Sequence, residues 1–133
     1  MIKPAKIQVR FSDIDVMGHV NNAVYLSYFE MTRVHYFKEL LGLEWDWKSH
    51  GILLVRNEID YIKPILIQHV PEIHMYFKEA GSKSIRLSYE VKVNGEIYTK
   101  GVSVMVSFDS RVGKTTIIPD EMKAALETLR KPQ

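Results

Sequence analysis

Residues 23–41 read AVYLSYFEMTRVHYFKELL, a stretch with neither proline nor glycine, and nothing else in the chain constrains the fold as strongly. Such a run predicts an uninterrupted helix, with Asn21 or Asn22 available to cap its first turn and Gly42 to end it. At about 1.5 Å per residue it would extend close to 30 Å, the width of a small domain. Its apolar side chains, from Val24, Tyr25 and Leu26 through to Leu40 and Leu41, occupy almost the whole circumference. A helix apolar on nearly every side is expected to be surrounded by other structure.

The surrounding structure is expected to be strands. Ile7, Val9 and Phe11 alternate with Gln8 and Arg10, which predicts a first strand with one buried face. After a Trp45-Asp46-Trp47 connection, strands are expected over about 52–62, 71–79, 83–93 and 96–108. Ile85, Leu87, Tyr89, Val91 and Val93 share one face, and Asn94-Gly95 supplies the two positive-φ positions of a tight hairpin. That turn pairs Val93 with Glu96 and so places Leu87 opposite Val102 and Ile85 opposite Val104. A short amphipathic helix follows Pro119 over 120–130, and Lys131-Pro132-Gln133 reads as a frayed end. The chain of 133 residues is too short for parallel crossovers. The expected fold is therefore α+β, a five-stranded antiparallel sheet wrapped around one long central helix, in a single domain over 1–133. Its open edge strand calls for pairing with a second copy.

Bulk composition excludes several classes of function. The 18 Lys and Arg residues are interleaved with 16 Asp and Glu, which gives no basic face for nucleic acid. There is no cysteine, so disulfides, thiolate nucleophiles and cysteine zinc sites are ruled out, and a reducing cytoplasm is the expected location. The basic start is not followed by a signal-type apolar block, and no apolar run approaches the roughly 18 residues of a membrane span. His69 and His74 project to opposite faces without further ligands, so no metal site is expected. Gly113-Lys114-Thr115-Thr116 lacks the earlier glycine of a phosphate-binding loop, where Phe108 stands instead.

The chemistry is expected in the block from Phe11 to Asn22, which leads directly into the helix. Asp15-Val-Met-Gly18-His19-Val20-Asn21-Asn22-Ala-Val-Tyr25-Leu26-Ser-Tyr28-Phe29-Glu30-Met-Thr-Arg33 resembles the acyl-CoA branch of the hotdog-fold thioesterases of the 4-hydroxybenzoyl-CoA type. Their signature is D-x-x-G-H-V-N-N-x-x-Y-L-x-Y-F-E-x-x-R. The resemblance continues at Asn57-Glu58-Ile59-Asp60-Tyr61-Ile62-Lys63-Pro64 and Gly81-Ser82-Lys83-Ser84, and so covers nearly the whole chain. It implies a hotdog fold, hydrolysis of an acyl thioester of coenzyme A or of acyl carrier protein, and no cofactor beyond the coenzyme A of the substrate. It also implies a homodimer or a dimer of dimers.

By that resemblance Asp15 is catalytic, as nucleophile or as base for a water, and backbone N–H near Asn22 polarises the thioester carbonyl. Both roles make sense physically, because a helix N-terminus carries unsatisfied donors and partial positive charge where an oxyanion develops. The bland reading of Asp15 is an Asx turn that orders the loop, and Asp13 reads mainly as such an acceptor. His19 either orients Asp15 or substrate, or packs against the helix start. Tyr25, Tyr28, Phe29 and Tyr61 are candidates for an acyl pocket as well as for core. Glu30 and Arg33 read as an i, i+3 ion pair, with Glu30 a reserve carboxylate. Lys63, Lys83, Arg86 and Lys100 are candidates for coenzyme A phosphates or for solvated surface. Two rivals stand beside thioester hydrolysis. A non-catalytic acyl-thioester binding module would use the same groove. Acyl-thioester hydratases resemble a D-x-x-x-x-H pattern, which the spacings Asp15 to His19 and Asp13 to His19 do not match.

Overall fold

A computed structural model describes residues 1–132. In chain order the elements are β1 (Ala5–Lys6), a 3-10 turn (Phe11–Asp13), α1 (Val24–Leu41), β2 (Gly51–Tyr61), β3 (Glu72–Ala80), β4 (Ser84–Val93), β5 (Glu96–Asp109), β6 (Lys114–Thr115) and α2 (Asp120–Glu127). The strands form one sheet in the order β1-β3-β4-β5-β2, with the short β6 paired to β5. This is the α+β composition expected, an antiparallel sheet with one long helix and a short C-terminal one. Packing divides the residues into two compact units. The first holds Met1–Tyr36, Ile59–Met75 and Tyr89–Gly101; the second holds Phe37–Glu58, Tyr76–Ser88 and the residues from Val102 onward. No helix among the described residues is long and apolar enough to cross a membrane.

In the first unit the N-terminal segment pairs Ala5 with Ile73 and Lys6 with Glu72. Ala5, Ile7 and Val9 are buried in alternation, but the paired strand is Ala5–Lys6, ahead of the predicted Ile7 to Phe11, and Phe11 is 90% exposed. The physical cause is local: the Asp13 carboxylate accepts the Arg10 N–H at 3.0 Å and bends the chain into the 3-10 turn. Helix α1 begins and ends within a residue of expectation, and Gly42 takes φ +78° just past its last turn. Tyr25, Tyr28, Phe29, Thr32, Arg33 and Tyr36 form its buried stripe, at the spacing of one helical face. Enclosure on every side does not hold within the single chain. Leu26, Met31 and Val34, on the other face, are 42%, 47% and 64% exposed. The Glu30–Arg33 pair does not form either. Arg33 turns inward and donates to the Tyr89 hydroxyl at 3.1 Å, while Glu30 faces solvent.

The Asn94-Gly95 turn forms as expected, with φ of 51° and 80°. The register beyond it differs. The buried positions of β5 are Thr99, Gly101, Ser103, Met105 and Ser107, and Val102 and Val104 lie half-buried on the opposite face. Ser107 donates its N–H to the Lys83 carbonyl at 2.8 Å, where an unbroken count from the turn would bring Val106. Strand β5 has gained one residue against β4, as at a β-bulge. Packing explains why small residues face inward. Phe29 is fully buried and stacks on Tyr89 at 4.3 Å, and a Cβ on Gly101 would stand 2.6 Å from the Phe29 ring.

In the second unit Phe37 meets Trp47 edge-on at 5.6 Å, closing the end of α1 onto the connection that follows. Gly113, at φ +69°, turns β5 back into β6, so the glycine-lysine-threonine segment is a hairpin. Helix α2 stops at Glu127, earlier than expected, and buries Met122 and Leu126 completely. The Arg130 guanidinium lies 4.8 Å from the centre of the Phe77 ring and donates to the Lys78 carbonyl at 2.8 Å. Lys131, expected to fray, has its ammonium 5.4 Å from the centre of the Tyr76 ring. Gln133 lies outside the described residues.

Candidate active site

The segment from Asp13 to Asn21 is a closed loop held almost entirely by backbone bonds. Asn21 N–H donates to the Asp13 carbonyl at 2.8 Å, Ile14 bridges Val20, and Asp15 N–H donates to the His19 carbonyl at 2.8 Å. Gly18 makes the reversal possible at φ +79° and donates its N–H to the Asp15 carbonyl at 3.0 Å. Val20 N–H donates to the Ile65 carbonyl at 2.8 Å, which fixes the loop to the segment after β2.

Within this frame the half-buried Asp15 carboxylate uses one oxygen, Oδ1, to accept the Met17 N–H at 2.9 Å and the His19 N–H at 3.3 Å. It is therefore an Asx-type turn residue, as its bland reading had it. Its Oδ2 has no partner among the described residues, so only one of the two oxygens is used in shaping the loop. His19 touches Asp15 through its backbone, and among the described residues its ring has no partner.

The helix tip is a few residues downstream. Asn21 is the cap: its Oδ1 accepts the Ala23 N–H at 2.9 Å and its carbonyl accepts the Val24 N–H at 2.9 Å. Just before those two satisfied donors, the Asn22 N–H has no acceptor among the described residues. The next peptide, Asn22 to Ala23, is held from β2, because the Tyr61 hydroxyl donates to the Asn22 carbonyl at 2.9 Å. The Tyr61 ring meets Tyr25 edge-on at 4.9 Å. Burial pushes the phenols of both Tyr25 and Tyr61 up, and the Asp15 charge adds a smaller rise at Tyr25. Both tyrosines therefore remain protonated donors near neutral pH.

Asn22, Tyr25 and Tyr61 are thus brought together, and Asp15 acts on Tyr25 electrostatically. The sequence does not reveal the fixed contact from Tyr61 to Asn22, which spans 39 positions. A cavity of about 530 Å³ lies elsewhere, between the N-terminal segment and α1, lined by Ile7, Arg10, Asp13, Tyr28, Met31 and His35 among others. Neither Asp15 nor Tyr61 reaches it. Of the four cations considered for phosphates, Lys63 pairs with Glu96 and Arg86 with Glu79, while Lys83 and Lys100 are exposed. Among the described residues no group of three His, Asp or Glu side chains is placed to hold a metal ion.

Known proteins resemble this chain in sequence and in fold. Residues 9–126 match the Thioesterase-like superfamily. YsmA, an uncharacterised protein of Bacillus subtilis (strain 168), is 32% identical over 122 residues, 91% of this chain and 82% of its own. The long-chain acyl-CoA thioesterase FadM of Escherichia coli (strain K12) is 26% identical over 130 residues, 95% of this chain and 98% of its own. A thioesterase of Thermus thermophilus, crystallised with coenzyme A and Zn, superposes with a TM-score of 0.83 at 33% identity. The superposition covers 98% of this chain and 96% of that one. With the family match running from the loop through α1 and strands β2 to β6 into α2, this chain belongs to the hotdog-fold thioesterase-like superfamily.

Proposed function

We propose that this protein hydrolyses an acyl thioester of coenzyme A to the free acid and the thiol, with Asp15 and the Asn22 N–H as its reacting groups. The observation that carries the reading is the unsatisfied Asn22 N–H at the positive end of α1, its peptide fixed through the Asn21 carbonyl, which accepts the Val24 N–H at 2.9 Å. A donor held in place without an acceptor is ready to stabilise an oxygen that gains charge as the thioester carbonyl becomes tetrahedral. FadM, similar along nearly its whole length, is a long-chain acyl-CoA thioesterase, which favours the same substrate class here.

The Asp15 carboxylate is steadied at Oδ1, which leaves Oδ2 for the chemistry. As a nucleophile, Oδ2 adds to the carbonyl carbon and expels the thiolate, and water then cleaves the resulting anhydride. As a base, it takes a proton from a water that attacks the same carbon, and the thiolate leaves carrying a proton from the aqueous pool. Unlabelled acid from a single turnover in ¹⁸O-water would identify the anhydride path with water attacking the Asp15 carbonyl, because only that path places an Asp15 oxygen in the product.

Val16 and Met17, beside Asp15, are 99% and 72% exposed, and Leu53, Leu54 and Val55 on edge strand β2 are 45%, 43% and 57% exposed. These surfaces support a homodimer, or a dimer of dimers, in which the second copy covers β2 and completes the acyl groove.

The test is a panel of acyl-CoAs assayed by thiol release, with wild type and Asp15→Asn side by side. Hydrolysis should fall by about 10³-fold or more in the variant while binding of a non-hydrolysable thioether analogue persists. Retained hydrolysis would remove Asp15 from the reaction, and binding without turnover in wild type would leave an acyl-thioester binding module.

A further inference from the structure

Asp13 is only 3% exposed, yet it is a charged side chain on the loop that presents Asp15. Burying a carboxylate is costly unless donors surround it. Here its Oδ2 accepts the Tyr28 hydroxyl at 2.7 Å and the Arg10 N–H at 3.0 Å, and its Oδ1 accepts the Arg10 guanidinium at 3.3 Å. The Arg10 side chain is 71% exposed, so its charge is screened and the two short bonds dominate. The backbone of Asp13 is also engaged, since its carbonyl accepts the Asn21 N–H at 2.8 Å.

These bonds join three things that the proposed reaction needs in register. The carbonyl bond closes the loop carrying Asp15 at Asn21, the residue immediately before the proposed oxyanion donor. The side-chain bond ties the start of that loop to Tyr28, which is 1% exposed inside α1, the helix whose tip carries the Asn22 N–H. Nothing in this network reaches the acyl carbon.

We infer that Asp13, acting with Tyr28, is a positioning residue: it sets where the Asp15 carboxylate stands relative to the Asn22 N–H. This rests on the thioesterase reading above and assigns to it a group outside the reacting atoms. Burial alone would raise the Asp13 carboxyl, but the Arg10 N–H, the Tyr28 hydroxyl and the Arg10 charge together outweigh it and hold the group below the usual carboxylate range. The clamp therefore stays charged across the neutral range.

Tyr28→Phe and Asp13→Asn, made in the full chain, test it. Phenylalanine occupies the same volume and removes only the hydroxyl, so this variant carries the test if Asp13→Asn fails to fold. Turnover is read per folded molecule, well below each variant's melting temperature. Displacements of about 1 Å cost on the order of 10²-fold in rate, so kcat should fall by about 10- to 100-fold. Over the same series KM, and Kd for a thioether analogue of the substrate, should stay within about threefold, since uniform binding is untouched. Amide exchange at Asn21 and Asp15 should quicken by about tenfold or more as the loop opens locally. A merely structural role would lower the melting temperature and leave kcat per folded molecule and the shape of the pH profile where they were. Tyr28→Phe with kcat within about twofold of wild type, or with unchanged protection at Asn21 and Asp15, overturns the inference. Failure of wild type to hydrolyse any acyl-CoA would instead sink the proposed reaction, and the exchange measurement would still decide whether Asp13 and Tyr28 hold the loop.

Discussion

Replacing Gly101 with alanine adds one methyl group at the tightest point between α1 and the sheet. Built on the existing backbone, that carbon stands 2.6 Å from both Cε2 and Cζ of Phe29 and 3.4 Å from Cδ2 of Tyr89. Phe29 is fully buried and its ring is parallel to Tyr89 within 6°, so it has no open direction in which to slide. Two effects oppose each other. Removing a glycine restricts the unfolded chain and stabilises by about 0.4–1 kcal/mol where the native backbone suits alanine. Forcing a methyl into a filled core costs about 1–3 kcal/mol. Overpacking wins, leaving a net loss of about 1–2 kcal/mol, or roughly 3–10 °C in Tm for a chain of this size. Urea titration followed by tryptophan fluorescence, together with calorimetry, measures both quantities. Phe29→Leu in the same background should recover part of the loss, giving a coupling of about 1 kcal/mol in the double-mutant cycle. An alanine variant as stable as wild type, or additive single and double variants, would refute the packing of Gly101 against Phe29 and with it the reason given for the shifted register of β5.

Tyr61→Phe removes the bond to the Asn22 carbonyl, worth about 1 kcal/mol, so kcat/KM for acyl-CoA hydrolysis should fall about fivefold with Tm little changed. Asp13 has its carboxyl held below the ordinary 3.8 in the folded chain, so its stabilisation is full above that pH and is lost as pH falls through the lower folded value. Acid titration of Tm should therefore be shallower below about pH 4 in Asp13→Asn than in wild type, and parallel curves would count against the clamp. Arg130→Ala releases Glu127, the Lys78 carbonyl and the Phe77 ring together. Carboxypeptidase should then trim the C-terminus faster, with a smaller loss of Tm than Gly101→Ala.

What sequence reasoning recovers and what it misses divide by range. Helix α1 and the Asn94-Gly95 turn depend on neighbouring residues alone: a run unbroken by proline or glycine in one case, two positive-φ positions in the other. Both are legible. The register of β5 is not, because it depends on where the Phe29 ring comes to rest, and the valines at 102 and 104 carry the stronger local signal for burial. Arg33 is misread for a similar reason. A nearby glutamate on the helix suggests a surface pair, whereas the Tyr89 hydroxyl that takes the guanidinium lies 56 positions away. At the site, the motif singles out Asp15 and the helix tip, the proposed reacting groups, and Asp13 is read correctly as a hydrogen-bond acceptor. Its partner Tyr28 is hidden from a local reading, since only the 3-10 turn brings the two side chains together.

The loop that presents Asp15 also separates its scaffold from its rim. Every bond that closes it comes from the main chain or from the carboxylates of Asp13 and Asp15, and the side chains of Val16 and Met17 take no part. Exchanging those two side chains therefore breaks none of the bonds that close the loop. Combinatorial libraries built at 16 and 17 alone should retune which acyl groups are accepted while leaving the fold and its reacting carboxylate as they are.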